Sequence, residues 1–176
     1  GSRQYGKTSL LTRVIAHAVA EERNYRVVTI DFQELEEETL GDLNRLLEEF
    51  CWYFAEKLDL EDECESHWER AHRRKHPAKR TTTTFVEKHI LKRFDEPILL
   101  ALDEADRLFN FKEVSSEFFL LLRSWHEKSK NPDRQEWEKF RLCLCYSTEA
   151  KLAIHDLNAS PFNVGEEAKL APFRPD

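Results

Sequence analysis

Eight residues at the start of the chain, Gly1-Ser2-Arg3-Gln4-Tyr5-Gly6-Lys7-Thr8, constrain its fold more than any other stretch. They fit the pattern G-x-x-x-x-G-K-[ST] of a phosphate-binding loop, which links a β-strand to a helix. Gly1 and Gly6 let the backbone turn so that successive N–H groups face one phosphate. Lys7 can reach the outer phosphates, the Thr8 hydroxyl can hold Mg²⁺, and Ser9 completes the loop's contacts at the helix N-terminus. A strand should come before such a loop. The chain therefore reads as part of a longer protein that supplies this strand ahead of Gly1.

A second pattern must converge on the same point. Pro97-Ile98-Leu99-Leu100-Ala101-Leu102-Asp103-Glu104 is an apolar run that ends in two carboxylates, a Walker B pattern. Its lack of polar alternation predicts a parallel strand buried on both faces. Asp103 would stand at the strand's C-terminal end and hold Mg²⁺, and Glu104 would polarise the attacking water.

Between and around these motifs, helices and strands alternate. Leu10, Leu11, Val14, Ile15, Ala18 and Val19 predict a helix that closes near Asn24. Tyr25 to Phe32 is β-branched and predicts a strand, with Asp31 near the end where ligands gather in open α/β sheets. A helix is expected over residues 40–58, with an aromatic core stripe through Leu43, Leu46, Leu47, Phe50, Tyr53 and Phe54. Residues 59–82 pass from acidic to basic and then to four threonines. Pro77 should break any helix there, and a helix should resume at about Thr84. Ser115-Ser116-Glu117 predicts another helix start, and Phe118, Phe119, Leu121, Leu122 and Trp125 predict that helix's buried side. Arg141 to Ser147 predicts a further strand. It ends at Ser147-Thr148, either a sensor of the terminal phosphate or an N-cap before Glu149.

Composition excludes several classes. With 27 basic against 34 acidic residues the net charge is −7, so the chain lacks the overall basic signature of a nucleic-acid binder. The basic cluster Arg70 to Arg80 is either a phosphate or nucleic-acid patch or a solvated helix end and loop. No apolar run approaches the ~18 residues that span a bilayer. The four cysteines form no C-x-x-C pair. Cys143 and Cys145 would share one strand face as buried thiols, and reduced thiols without an export signal predict a cytoplasmic protein.

The chain resembles the AAA-like ATPase domain of bacterial STAND-type signalling NTPases, a branch of the P-loop ATPases. The resemblance rests on GSRQYGKTSLL (1–11), RVVTIDFQ (26–33), LLALDEADRLF (99–109), FFLLLRSWHEKS (118–129) and CYSTEAKLAIHDLNASPFNVG (145–165). It implies one α/β domain over 1–176 with the three-layer P-loop NTPase fold. Its parallel sheet would have the order 5-1-4-3-2, with helices on both faces and strand 5 within 165–172. Strand 1 would be the missing strand, and a helical lid would follow Asp176. Expressed without strand 1, residues 1–176 should fold poorly or aggregate.

The resemblance also implies ATP with Mg²⁺, Lys7 and Thr8 on the phosphates, Thr8 and Asp103 on the metal, and Glu104 as base. Ser147 or Thr148 would be the sensor. Such sites are often completed by a neighbour's arginine, for which Arg123 is the candidate and Arg107 the alternative. For Arg123 an ordinary salt bridge is the competing reading.

The expected function is a slow Mg-dependent ATPase switch within a larger signalling or defence protein. It would exchange ATP and ADP and work through self-association or attached effector and lid modules. The alternatives are a nucleotide-gated scaffold without turnover and a DNA-transaction ATPase of the origin-loading type.

Overall fold

The computed structural model describes residues 6–20, 23–146 and 166. Three parallel strands form its centre: β1 (Arg26–Asp31), β2 (Ile98–Asp103) and β3 (Phe140–Leu144), in the spatial order β1-β2-β3. Arg26 pairs with Ile98 and Asp31 with Asp103, while Ile98 pairs with Phe140 on the other side. Every residue of β2 is buried, as its unbroken apolar run predicts. The expected fifth strand, within 165–172, lies outside the described residues.

Helices cover both faces. The helix α1 (Lys7–Val19) packs against β1 and β2. Val28, Ile30, Leu100 and Leu102 point the other way, into the main core with Phe32, Phe50, Phe118 and Trp125. That core is supplied by α3 (Leu43–Leu58) and α6 (Lys112–Ser129). Phe118 meets both Phe32 and Phe50 edge-to-face, at 5.8 and 5.4 Å, so one ring joins the sheet to both helices. The aromatic stripe of α3 is therefore core, as expected, with Phe50 and Phe54 fully buried.

Several boundaries differ from the sequence-based expectation. The first helix ends at Val19, short of Asn24, although Asn24 does adopt the left-handed conformation foreseen for it (φ 47°). Of its apolar positions only Leu11 and Ala18 are buried, and Val14 and Val19 are exposed. The helix expected over 40–58 is α3, which starts at Leu43, while Leu40 ends a separate short helix, α2 (Glu37–Leu40). The break falls at Gly41-Asp42, where the Asp42 carboxylate caps α3 by accepting from the N–H groups of Asn44 and Arg45.

Residues 59–82 hold two helices, α4 (Glu61–Arg73) and α5 (Ala78–Phe85). The acidic-to-basic run suits α4's macrodipole: Glu61, Asp62 and Glu63 fill its first turn, and Arg70, His72 and Arg73 its last. Pro77 does break the chain, but helix resumes at Ala78 rather than Thr84, with Pro77 as its N-cap. Within this helix Thr81, Thr82 and Thr84 satisfy their hydroxyls by donating to carbonyls four residues back. A π-helical stretch, Val86–Leu91, continues from α5. Finally, α6 begins at Lys112, not Ser115. Ser115 is buried inside its first turns, with its hydroxyl donating to the Lys112 carbonyl.

Candidate phosphate site

The described part of the phosphate loop starts with Gly6, which takes φ 70° and so needs a residue without a Cβ. Its carbonyl accepts from the Leu10 N–H, starting α1 immediately. This geometry puts Lys7 and Thr8 in the first turn of the helix. Ser9 follows on the exposed side. Gly1, Ser2, Arg3, Gln4 and Tyr5 lie outside the described residues, as do Ser147 and Thr148.

The two sequence motifs meet. Thr8 Oγ1 donates to Asp103 Oδ2 at 3.0 Å, across 95 residues of sequence. Asp103 is only 5% exposed, and its Oδ1 accepts from the Glu104 N–H at 3.0 Å. It shares a strand face with Leu99 and Ala101, the face that α1 covers, because side chains alternate along β2. Glu104 then turns the chain through a left-handed conformation, φ 51° and ψ 33°. Its carboxylate approaches Lys7 Nζ at 4.0 Å. Lys7, Thr8, Asp103 and Glu104 thus form two cross-linked pairs between the helix start and the strand end.

The strand ends around this centre are tied together by residues whose part the sequence did not disclose. The Arg107 guanidinium donates to the carbonyls of Phe32, Gln33 and Leu35, at 2.7, 2.9 and 3.3 Å. It thereby joins the turn after β2 (Ala105–Asn110) to the turn after β1 (Phe32–Glu34). Asp31, at the ligand-prone end of β1, accepts from the Gln33 N–H and so shapes that same turn. A single arginine just after the Asp-Glu pair was the available signal, but its partners lie more than 70 residues away in sequence.

Arg123 lies on α6 and pairs with Glu127 at 3.1 Å, the ordinary i,i+4 contact. The cysteines at the end of β3 are half-buried rather than buried. The backbone continues the ladder past Leu144: Cys145 N–H donates to Leu102 O, and Ala105 N–H to Cys145 O. Hydrogen bonding with the Cys145 thiol holds the Cys143 thiol below the usual cysteine range, against burial and the nearby Asp103. The same bond, then burial, pushes Cys145 upward.

Hard oxygen donors meet an ammonium group at the carboxyl end of a parallel α/β sheet, an arrangement consistent with a P-loop-like fold. The chain belongs to the AAA-like domain family, whose pattern matches residues 1–176. No curated protein and no solved structure matches it. Family membership points to nucleotide binding of the ATPase type. Among the described residues, no helix is long and apolar enough to cross a membrane.

Proposed function

We propose that the chain is the ATP-binding, slowly hydrolysing switch domain of a larger signalling or defence protein of the STAND type. The observation that carries this reading is the Thr8–Asp103 hydrogen bond beside the Lys7–Glu104 pair. It joins the two motifs that a nucleotide with its metal requires, and a buried strand with an ordinary acidic turn would not need it.

The donor set fits Mg²⁺: a hydroxyl and a carboxylate oxygen 3.0 Å apart, both hard ligands. Thr8 and Asp103 would hold the metal, which supplies charge neutralisation between the outer phosphates. Lys7 would hold the phosphates at the positive end of α1, and the loop residues Gly1 to Ser9 are the proposed remainder of that site. Glu104, turned toward Lys7 by its left-handed backbone, accepts a proton from the attacking water and orients it. Ser147 or Thr148 is the proposed sensor.

Arg107 is committed to three carbonyls of its own chain, and Arg123 is kept as the candidate arginine acting from a neighbouring copy, a role that would require it to leave its pair with Glu127. Its charge would offset that developing on the terminal phosphate. Order and disorder of segments around that phosphate would be the switch.

Mg-ATP binding and turnover, compared among wild type, Glu104→Gln and Lys7→Ala, test the reading. Turnover should vanish in Glu104→Gln with binding retained, and binding should weaken in Lys7→Ala. Binding without turnover in the wild type would replace the switch with a nucleotide-gated scaffold.

A further inference from the structure

A cleft of about 440 Å³ lies between α5, the π-helical stretch and α6. None of its lining residues belongs to the phosphate site. Four cations face it, Lys79, Arg80, Lys128 and Arg134, against one carboxylate, Glu87. Three of these cations have carboxylate partners, Glu117 for Lys79, Glu87 for Lys128 and Glu136 for Arg134, so the cleft holds a small local excess of positive charge on a chain of net charge −7. Lys79 and Arg80 come from the basic run Arg70 to Arg80, most of which is a solvated helix end and loop, so the cleft singles out the two members that share a concave surface.

The polar floor of the cleft is held from beneath by two fully buried indoles. Trp125 Nε1 donates to Thr83 Oγ1 at 3.0 Å, which leaves the hydroxyl proton of Thr83 available to an acceptor in the cleft. Trp137 Nε1 donates to Glu87 Oε1 at 3.0 Å, and Lys128 Nζ meets the same oxygen at 2.7 Å. Lys128 also stands 5.0 Å from the centre of the Trp137 ring. Burial draws the Glu87 carboxyl upward, but Lys128 and the Trp137 N–H outweigh it and hold the group below its usual range. Glu87 therefore stays ionised and fixes the Lys128 ammonium in place, with N–H donors to spare.

At the rim, Glu117 engages Lys79, and Glu136 stands 4.0 Å from Arg134. Arg80 is exposed and forms no ion pair among the described residues. A fixed ammonium, a hydroxyl donor and two arginines around one small volume match an anion with several acceptor oxygens.

We propose that this cleft binds a compact phosphate-bearing anion at a site separate from the phosphate loop. The ligand is small, because the net charge of the chain repels a long polyanion at a distance. Thr83 and Lys128 bind its oxygens from the floor, and Arg80 and Arg134 close over it. The proposal does not rest on the ATPase reading.

Inorganic pyrophosphate is the probe, titrated calorimetrically into Lys7→Ala protein so that the phosphate loop is weakened. Binding should persist there, and Arg80→Ala/Arg134→Ala added to that background should weaken it at least about tenfold, the effect of one lost charge-assisted hydrogen bond or more. The proposal is overturned if Lys7→Ala alone abolishes binding. It is equally overturned if Arg73→Ala/Arg74→Ala, which removes exposed cations outside the cleft, weakens binding as much. Tighter binding of duplex DNA, dependent on Arg73 and Arg74, would assign the basic run to nucleic acid instead.

Discussion

Replacing Thr8 with valine removes one hydroxyl and keeps the side chain's shape. In the wild type that hydroxyl donates to Asp103 Oδ2 at 3.0 Å, and Asp103 is 5% exposed. The bond is charge-assisted, for which a net value of about 1.5–3 kcal/mol is typical. Thr8 itself is exposed, so water can partly replace it and the lower figure applies. The Glu104 N–H still serves the other carboxylate oxygen, which limits the loss further. We therefore expect Thr8→Val to cost about 1.5 kcal/mol without nucleotide, a fall in Tm of about 3–6 °C for a domain of this size. Thr8→Ser keeps the donor and should stay within about 0.5 kcal/mol of wild type.

Thermal and urea melts of Thr8→Val, Asp103→Ala and the double variant would give the coupling directly. Mg-ATP binding, measured alongside, should fail in Thr8→Val and survive in Thr8→Ser. Zero coupling, with Thr8→Val as stable as wild type, would mean that the loop and the strand end are not joined through this bond. The two motifs would then be neighbours without a shared site.

Three further outcomes follow from the same geometry. Arg107→Ala should destabilise the domain by about 2–4 kcal/mol in urea melts, because three carbonyls lose a charged donor, and since all three bonds leave one nitrogen, Nη1, Arg107→Lys should recover part of the loss through its own ammonium. His67 and His89 are both held below 6.5, first by burial and, for His89, also by His67. The unfolded chain therefore takes up protons that the folded one refuses. Stability is complete above about pH 6.5 and falls as pH drops from there, before the lowered carboxyls of Glu63, Glu87 and Glu96 begin to titrate. Melts between pH 7 and 5 should slope accordingly, and His67→Gln/His89→Gln should flatten them. Lastly, iodoacetamide at pH 7.5 should label the half-buried pair Cys143 and Cys145 before the buried Cys51 in mass spectra, since burial drives the Cys51 thiol far upward.

The sequence was most legible where one local pattern determined one outcome. Ile98 to Leu102 could only be a strand buried on both faces, and Gly6-Lys7-Thr8 could only turn and start a helix. Asp103 and Glu104 then had one place to be. It was least legible where tertiary partners decide. The α4 helix carries few apolar residues, and its buried side is only Cys64, Trp68 and Ala71. Their spacing of four and three was the available signal, hidden by the charges around it. The break at Gly41-Asp42 was masked because Leu40 and Leu43 continue one apolar stripe across it, even though Asp42 is a standard N-cap. In α6, Ser115 looked like a cap but bonds back into the helix, so the start lay three residues earlier. The reach of Arg107 to the far turn was signalled only by a lone arginine after the Asp-Glu pair, because no local preference specifies a contact so distant along the chain.

The Arg107 contact also couples two turns. Turns at the ends of neighbouring strands usually fluctuate independently, each with its own opening equilibrium. Here one guanidinium closes both, so neither can open without releasing the other. The amides of 32–35 and 105–110 should therefore exchange with solvent as one kinetic unit. Glu104 sits at the edge of that unit, so its position carries the rhythm of a turn that belongs to another strand.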